Sequence, residues 1–254
     1  MWRRIFGRKP VPRPTPGIDV RIYAVGDIHG RLDLLKELYR RVEHDSRDTD
    51  DDCALVFLGD YVDRGPDSAG VIDFLLTRID PRFSPVFLKG NHEDLWRRFL
   101  DQPEVGPAWF ATGGVMTVVS YGIREGLAGQ SADFAGVAAR LHEAMPAAHH
   151  AFLDGLAFSH QSGHYLFAHA GIRPRVPVER QDPEDLMWIR REFLGADEFG
   201  GLCVVHGHSQ VTEAVDLPHR IAVDTGAYHS GRLTCVVLDG ENRRFISTGD
   251  AATV

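Results

Sequence analysis

Three apolar runs in the first hundred residues each stop at a glycine that is followed by polar residues. The runs cover residues 20–25, 53–58 and 85–89. Apolar runs of this length that end at a glycine are typical of buried strands. Residues directly after such strands lie at the carboxyl edge of a sheet, where open α/β folds bind their ligands. The pattern therefore predicts three strands whose polar ends share one edge.

Apolar residues at helical spacing follow each of these predicted strands. The spacing predicts helices over about residues 31–44, 68–79 and 93–100. Asp67 or Ser68 can cap the second helix, and Pro81 ends it. The repeated order of strand, polar loop and helix implies parallel strands joined by right-handed crossovers.

Strand-like runs dominate the second half of the chain. They cover residues 157–160, 164–169, 202–205, 220–224, 233–238 and 243–247. Gln161-Ser162-Gly163, between the first two runs, predicts a hairpin closed by Ser-Gly. Because the runs cluster without helices between them, we expect a second, largely antiparallel sheet.

The polar residues after the first three runs combine carboxylates, imidazoles and an amide. The segments are Gly26-Asp27-Ile28-His29-Gly30, Gly59-Asp60-Tyr61-Val62-Asp63-Arg64-Gly65 and Gly90-Asn91-His92-Glu93. In the first segment an oxygen and an imidazole two residues apart can bind one ion. A mixed set of oxygen and nitrogen donors suits Mn²⁺, Fe or Zn²⁺ better than Mg²⁺ or Ca²⁺ alone. A Gly-Asp turn after a strand would explain any one segment, but it does not explain three in register.

Composition indicates one globular domain with a substantial core. The 254 residues are 43% apolar and 25% charged, which is ordinary for a soluble protein. The basic and proline-rich start predicts a disordered leader over residues 1–17, so we place the folded domain at residues 18–254. The net charge of -8 argues against a general nucleic-acid-binding surface.

Cysteine usage and hydropathy indicate the cellular compartment in which the protein resides. Cys53, Cys203 and Cys235 are widely spaced within apolar runs, as is typical of core residues in a reducing environment. No apolar stretch reaches the length of a membrane span, and the start of the chain lacks the apolar segment of a signal peptide. We therefore expect a cytoplasmic protein. The acidic residues 45–52 lack the ligand spacing of a calcium loop, so we interpret them as a solvated connection.

The three polar segments, in this order and spacing, resemble the signature blocks of the phosphoprotein phosphatase family of binuclear metallophosphoesterases. That family includes eukaryotic serine/threonine phosphatases, the lambda phage phosphatase and symmetrical diadenosine tetraphosphate hydrolases. The similarity extends from about residue 20 to about residue 224. The resemblance implies a calcineurin-like α/β fold, with two mixed β-sheets in a sandwich flanked by α-helices. It also implies that residues 103–160 form a helical cap beside the active site, although plain packing would explain that segment equally well.

The resemblance implies a pair of divalent cations, Mn²⁺ in the first instance with Fe or Zn²⁺ as alternatives. The implied ligands are Asp27 and His29 on the first ion, Asn91, His169 and His208 on the second, and Asp60 between both. His206 competes with His208 for the last position. We choose His208 because Gly207-His208 aligns with the Gly-His sequence of the family's final block.

The resemblance also implies catalytic roles. A hydroxide that bridges the metals would attack phosphorus in line, and His92 would protonate the leaving group, oriented by Asp63. Arg64 and Arg190 would bind the phosphate. Asp224, which follows an apolar run, either orients His208 or turns the chain.

The implied activity is hydrolysis of phosphomonoesters, with phosphoserine or phosphothreonine in proteins as the main expectation and phosphotyrosine as a further substrate. The alternative keeps the site but cleaves a dinucleoside polyphosphate or a nucleotide cap. A nucleotide-binding mouth would need a stacking aromatic residue, and Trp109 and Trp188 are candidates. A third interpretation is a catalytically silent scaffold, which the presence of Arg64, Asp63 and His92 disfavours.

Overall fold

The apolar runs near the N-terminus form adjacent parallel strands. A computed structural model describes residues 20–49, 53–127 and 133–249 of the chain. The predicted leader over residues 1–17 and the end of the acidic connection lie outside these ranges. Within the ranges the strands are β1 (Arg21–Val25), β2 (Cys53–Phe57), β3 (Phe83–Phe87), β4 (Ser159–Ser162), β5 (Tyr165–Ala168), β6 (Cys203–His206), β7 (Val215–Asp216), β8 (Arg220–Ala222), β9 (Thr234–Asp239) and β10 (Asn242–Ser247).

The first sheet has the order β10-β9-β1-β2-β3. Strands β1, β2 and β3 run parallel, with Arg21 opposite Cys53 and Cys53 opposite Phe83. Strands β9 and β10 are antiparallel to their neighbours. The carboxyl ends of the three parallel strands therefore meet at one edge, as the sequence pattern predicts.

The second sheet has the order β4-β5-β6-β8-β7. Strands β5, β6 and β8 are parallel, and only the outer strands β4 and β7 pair in the antiparallel sense. The expectation of a largely antiparallel second sheet is therefore wrong, because β9 and β10 join the first sheet instead. The predicted hairpin is present, but its turn is Gly163-His164.

The helices of the described ranges pack around the two sheets and against one another. They are α1 (Leu32–Asp45), α2 (Ser68–Thr77), α3 (Asn91–Asp101), α4 (Gly106–Ala111), α5 (Gly114–Ser120), α6 (Phe134–Ala144), α7 (Ala147–Asp154), α8 (Pro183–Trp188), α9 (Arg191–Leu194) and α10 (Ala227–Ser230). Asp67 caps α2 by accepting the Gly70 N–H at 2.8 Å. Within the described ranges, none of these helices has both the length and the apolar character needed to cross a bilayer.

The core consists of three apolar layers: one between the two sheets and one between each sheet and the helices that cover it. Alternate residues of β1 face opposite ways, so Ile22 and Ala24 point between the sheets while Tyr23 and Val25 pack against helices. The residues that meet Ile22 and Ala24 from the second sheet include Tyr165, Phe167, Val205 and Ile221. Helices α8 and α9 cover the outer face of the second sheet. The result is the predicted fold, two mixed sheets in a sandwich between helices.

Candidate active site

The loops after several strands contain non-glycine residues in the left-handed backbone region. They are His29 (φ 48°), Asp60 (φ 53°), Asp63 (φ 71°), Arg64 (φ 67°) and His208 (φ 58°). Among the described residues only Arg175 shares this property outside the edge where these loops meet. Each such residue costs about 1–3 kcal/mol, so strain of this kind clusters at functional sites.

Glu93 fixes the loop that carries Asp60. Its buried carboxylate accepts the backbone N–H groups of Asp60 at 2.9 Å, Tyr61 at 2.8 Å and Gly90 at 3.0 Å. Neither the strand pattern nor the resemblance gives Glu93 a role. Its position three residues after Gly90, at the start of α3, resembles the acidic half of a capping box, which is the signal that could have identified it.

Asp60 lies between two groups of imidazoles. Its Oδ1 is 3.4 Å from His169 Nε2, and its Oδ2 is 3.6 Å from His29 Nε2. The two carboxylate oxygens therefore face different partners. Burial raises the pKa of Asp60, but the surrounding imidazoles more than offset this effect and keep the pKa below its ordinary value. An ionised carboxylate in this position can be shared by two cations.

Backbone carbonyls set the tautomers of two imidazoles. His29 Nδ1 donates to the Val62 carbonyl at 2.8 Å, and His169 Nδ1 donates to the Leu58 carbonyl at 2.9 Å. The Nε2 atom of each ring is therefore left with its lone pair, as in histidines that bind metals. Burial lowers the pKa of His29 to about 3, so its imidazole is neutral at pH 7.

Two clusters of buried side chains are suited to hold a cation, Asp60 with His29 and His92, and Asp60 with His169 and His208. In each cluster the potential ligand atoms lie within 4.8 Å of one another. Within the part of the chain that the structure describes, the buried Nε2 of His208 has no hydrogen-bond partner. Burial lowers the pKa of His208 to about 2, so its ring is neutral and one of its two nitrogens carries a lone pair. A cation would satisfy the Nε2 of His208. The Nε2 of His206 also lacks a hydrogen-bond partner among the described residues, but His206 lies outside both clusters and its ring packs edge-on against Phe193, with centroids 4.8 Å apart.

Asn91 supports the same conclusion. Its Oδ1 lies 3.0 Å from His169 Nε2. Because His169 donates through Nδ1, both of these atoms are acceptors, and two acceptors in contact repel each other. A cation bound by both atoms would relieve this repulsion, so the donor set fits a metal ion.

Carboxylates are in excess at this edge. Asp27 accepts the His208 N–H at 3.1 Å and lies against Asp224. Burial, together with Asp224 and Asp60, raises the pKa of Asp27 well above its ordinary value. Asp224 thus contacts Asp27 and also turns the chain, by accepting the Gly226 N–H at 2.9 Å. Divalent cations would neutralise this buried negative charge.

His92 and Asp63 form a buried pair. His92 Nδ1 lies 2.6 Å from Asp63 Oδ2. The same carboxylate accepts Trp109 Nε1–H at 2.9 Å and the Thr117 hydroxyl at 2.5 Å. Trp109 is completely buried, so the suggestion that it stacks on a substrate base is wrong. Its indole instead orients the carboxylate that orients His92.

The other nitrogen of His92 faces the cleft. Arg64 Nη2 lies 3.0 Å from His92 Nε2. Burial lowers the pKa of His92, but the carboxylates of Asp60 and Asp63 more than offset this effect and raise it above its ordinary value. His92 can therefore carry a proton near neutral pH, as a general acid must.

These groups line a cleft of about 440 Å³. Buried residues form its inner part, and Arg64, Arg190, Trp188, Gln210 and Tyr228 lie nearer to solvent. Trp188 is 38% exposed, so its ring is accessible to a ligand. Sequence reasoning missed Gln210 and Tyr228, because neither belongs to a motif or a periodic pattern.

The predicted site residues thus converge on one edge of the sandwich. The two clusters that share Asp60, the His92–Asp63 pair and the guanidinium of Arg64 are in mutual contact, and Arg190 lines the same cleft. This arrangement suits hydrolysis of a phosphate ester or anhydride, which needs cations, guanidinium groups and a proton donor around one phosphorus atom.

Solved structures share this architecture. The crystal structure of a candidate diadenosine tetraphosphatase superposes with a TM-score of 0.59 at 23% identity, over 93% of this chain and 97% of that one. A cold-active protein-tyrosine phosphatase from a psychrophilic Shewanella gives a TM-score of 0.54 at 16% identity, over 93% and 83%. At these identities the likeness establishes the fold alone.

Curated relatives match most of the chain. The asymmetrical bis(5'-nucleosyl)-tetraphosphatase PrpE of Bacillus thuringiensis (strain Al Hakam) is 28% identical over 84% of this chain and 88% of its own length. The enzyme of the same name from Bacillus cereus (strain ATCC 10987 / NRS 248) is 30% identical over 83% and 87%. The family model for calcineurin-like phosphoesterases matches residues 20–239. The chain therefore belongs to the calcineurin-like phosphoesterase family.

Proposed function

We propose that this phosphoesterase hydrolyses dinucleoside polyphosphates of the bis(5'-nucleosyl)-tetraphosphate class. The observation that carries the proposal is the similarity to the PrpE enzymes, which extends over 84% of the chain and 88% of the relative's own length. The exposed ring of Trp188 in the cleft is consistent with a substrate that presents a base. The main sequence-based expectation, phosphoserine or phosphothreonine in proteins, has less support than this alternative.

The residues at the sheet edge are proposed to hold two divalent cations. Asp27 and His29 would hold the first, Asn91, His169 and His208 the second, and Asp60 both. When bound, such a pair supplies a water of lowered pKa and neutralises charge on the phosphoryl group. Because the donors are a mixed set of oxygen and nitrogen atoms, we propose Mn²⁺ as the metal to supply in assays, with Fe and Zn²⁺ as alternatives.

Arg64 and Arg190 are proposed to bind phosphate oxygens. Both guanidinium groups line the cleft, and a planar guanidinium can pair with two oxygens at once. A tetraphosphate carries several negative charges, so two cationic side chains can bind neighbouring phosphates and fix the chain in line for attack.

His92 is proposed to deliver a proton to the leaving oxygen from Nε2. Asp63 holds the ring through Nδ1, so Nε2 is the nitrogen that faces the cleft. Arg64 donates to Nε2 in this structure, so that nitrogen carries no proton here. A bound phosphate would attract the guanidinium away, and Nε2 would then take up a proton from solvent before His92 donates it. A nucleotide leaving group is weakly basic, so it depends on this proton less than an alkoxide does.

The test compares substrates on protein loaded with Mn²⁺. We expect a higher kcat/KM for diadenosine tetraphosphate than for phosphoserine or phosphothreonine peptides, with nucleotide products separated by chromatography. ATP and AMP would indicate asymmetrical cleavage, and two ADP would indicate symmetrical cleavage. A clear preference for phosphopeptides would reject the proposal and restore the protein phosphatase interpretation. Inactivity on all substrates, with two metals bound per chain, would indicate a silent scaffold.

A further inference from the structure

Tyr228 lies in the cleft but belongs to none of the motifs. It is the second residue of α10, a helix of four residues that follows the left-handed Gly226. Side chains fix the turn before it, since Thr225 Oγ1 donates to the Arg232 carbonyl at 2.7 Å and Ser230 Oγ donates to the Thr225 carbonyl at 2.8 Å. The turn therefore holds the Tyr228 ring at a defined position.

The ring contacts two groups of the site. The guanidinium carbon of Arg64 lies 4.7 Å from the ring centroid, within the range of a cation–π interaction. The ring also meets His29 edge-on, with centroids 5.5 Å apart at 85°. Tyr228 thus occupies the space between a predicted metal ligand and the proposed phosphate-binding arginine.

Within the described residues, the Arg64 guanidinium also makes two hydrogen bonds. Its Nε donates to the Thr112 carbonyl at 3.4 Å, which is a long hydrogen bond, and its Nη2 donates to His92. The contact with His92 must break, and Nε2 must take up a proton from solvent, before His92 can act as an acid. The guanidinium can keep its contact with the face of the Tyr228 ring while it turns towards a phosphate. This is possible because a cation–π contact does not use the N–H groups.

We propose that Tyr228 is a positioning residue that holds the Arg64 guanidinium over the cleft for phosphate binding. The inference rests on the proposed phosphate-binding role of Arg64, but it does not depend on which phosphate ester or anhydride is cleaved. The contact with Arg64 is made by the aromatic ring and not by the hydroxyl group. We therefore expect phenylalanine at position 228 to retain phosphate binding and an aliphatic residue to weaken it.

The test measures inorganic phosphate on protein loaded with Mn²⁺. For Tyr228→Leu we expect the Kd for phosphate, by calorimetry, and the KM for p-nitrophenyl phosphate to rise about 3- to 30-fold, as expected from the loss of one cation–π contact. We expect kcat to change less than KM, and metal content to be unchanged. Tyr228→Phe is the matched control and should stay within about twofold of the unmodified protein.

A double-mutant cycle decides whether Tyr228 acts through Arg64. In the Arg64→Ala background, Tyr228→Leu should weaken phosphate binding no further. An undiminished effect in that background, a Tyr228→Phe variant as impaired as Tyr228→Leu, or a loss of metal would each overturn the proposal. If Tyr228→Leu fails to fold, Tyr228→Met in the same cycle gives the decision. Normal phosphate binding with inactivity on dinucleotides would reject the proposed substrate and leave the role of Tyr228 intact.

Discussion

At the scale of single residues, His92 is held by two contacts of different kinds. Asp63 holds Nδ1 at 2.6 Å, and Arg64 contacts Nε2 at 3.0 Å. We expect His92→Asn to lower kcat by about 10²–10⁴-fold on an alkyl phosphate and by less on p-nitrophenyl phosphate, because loss of a general acid matters less for a good leaving group. Steady-state kinetics on both substrates measure the difference.

Metal content provides the control for that variant. His92 is not among the proposed ligands, so elemental analysis of His92→Asn should find nearly as much Mn²⁺ as in the unmodified protein. Loss of both ions would contradict the assignment of His92 as the acid, since it would make His92 a ligand.

Asp60 offers the opposite case. Its two oxygens face His169 and His29, so Asp60→Asn removes the one charge that both cations would share. We expect weaker binding of Mn²⁺ and loss of most activity, measured by calorimetry and by turnover. Glu143→Gln, which removes the same charge at an exposed position, is the control. Unchanged metal affinity in Asp60→Asn would reject the shared-ligand role.

Sequence reasoning located the cleft residues that follow strands better than the residues that support them. Asp27, Asp60, Asn91 and His92 follow strands in a recognisable order, so local pattern was sufficient. Tyr228 is brought to Arg64 from 164 positions further along the chain by the fold alone. The spacing of apolar residues along the chain cannot predict such a contact, because the contact depends on how the turn before α10 is oriented.

At the scale of elements, α4 and α5 support the His92–Asp63 pair. Trp109 of α4 and Thr117 of α5 both donate to the Asp63 carboxylate. Trp109→Phe keeps the packing of the ring but removes one donor to a buried charge, which costs about 1.5–3 kcal/mol. We expect a lower free energy of unfolding and a lower kcat with unchanged metal content, measured by denaturant titration and steady-state kinetics. An unchanged kcat in Trp109→Phe would show that the indole contributes packing alone and does not orient Asp63.

The positions of strands along the chain were predicted more reliably than the sheet to which each strand belongs. Residues 233–238 and 243–247 read as strands from the sequence, and β9 and β10 cover nearly the same residues. Their apolar character indicates that they are buried in a sheet, but it does not indicate which of the two sheets they join. The chain crosses from β8 in the second sheet to β9 in the first through the loop that carries Tyr228, and no local signal marks such a crossing.

At the scale of the whole molecule, the proposed ligands come from both sheets. Asp27, Asp60 and Asn91 follow strands of the first sheet, whereas His169 and His208 follow strands of the second. Bound cations would therefore connect the two sheets, and they would stabilise the folded state over the unfolded one. At a free Mn²⁺ concentration 100 times the Kd, the expected gain is about 2.7 kcal/mol per site.

Removal of metal should therefore lower the melting temperature. We expect calorimetric scans to show a lower Tm in excess chelator than in Mn²⁺, and a smaller difference for Asp60→Asn. The same Tm in both conditions would contradict metal binding to the folded state. Equal shifts in the variant and the unmodified protein would place the ions elsewhere.

The left-handed backbone of His29, Asp60, Asp63, Arg64 and His208 has a consequence for engineering. Glycine would relax the backbone at each position but would also remove the side chain, and at Asp63 the hydrogen bonds lost from His92, Trp109 and Thr117 would outweigh the relief. Libraries meant to make this protein more robust should therefore hold these five codons fixed and diversify the surface instead.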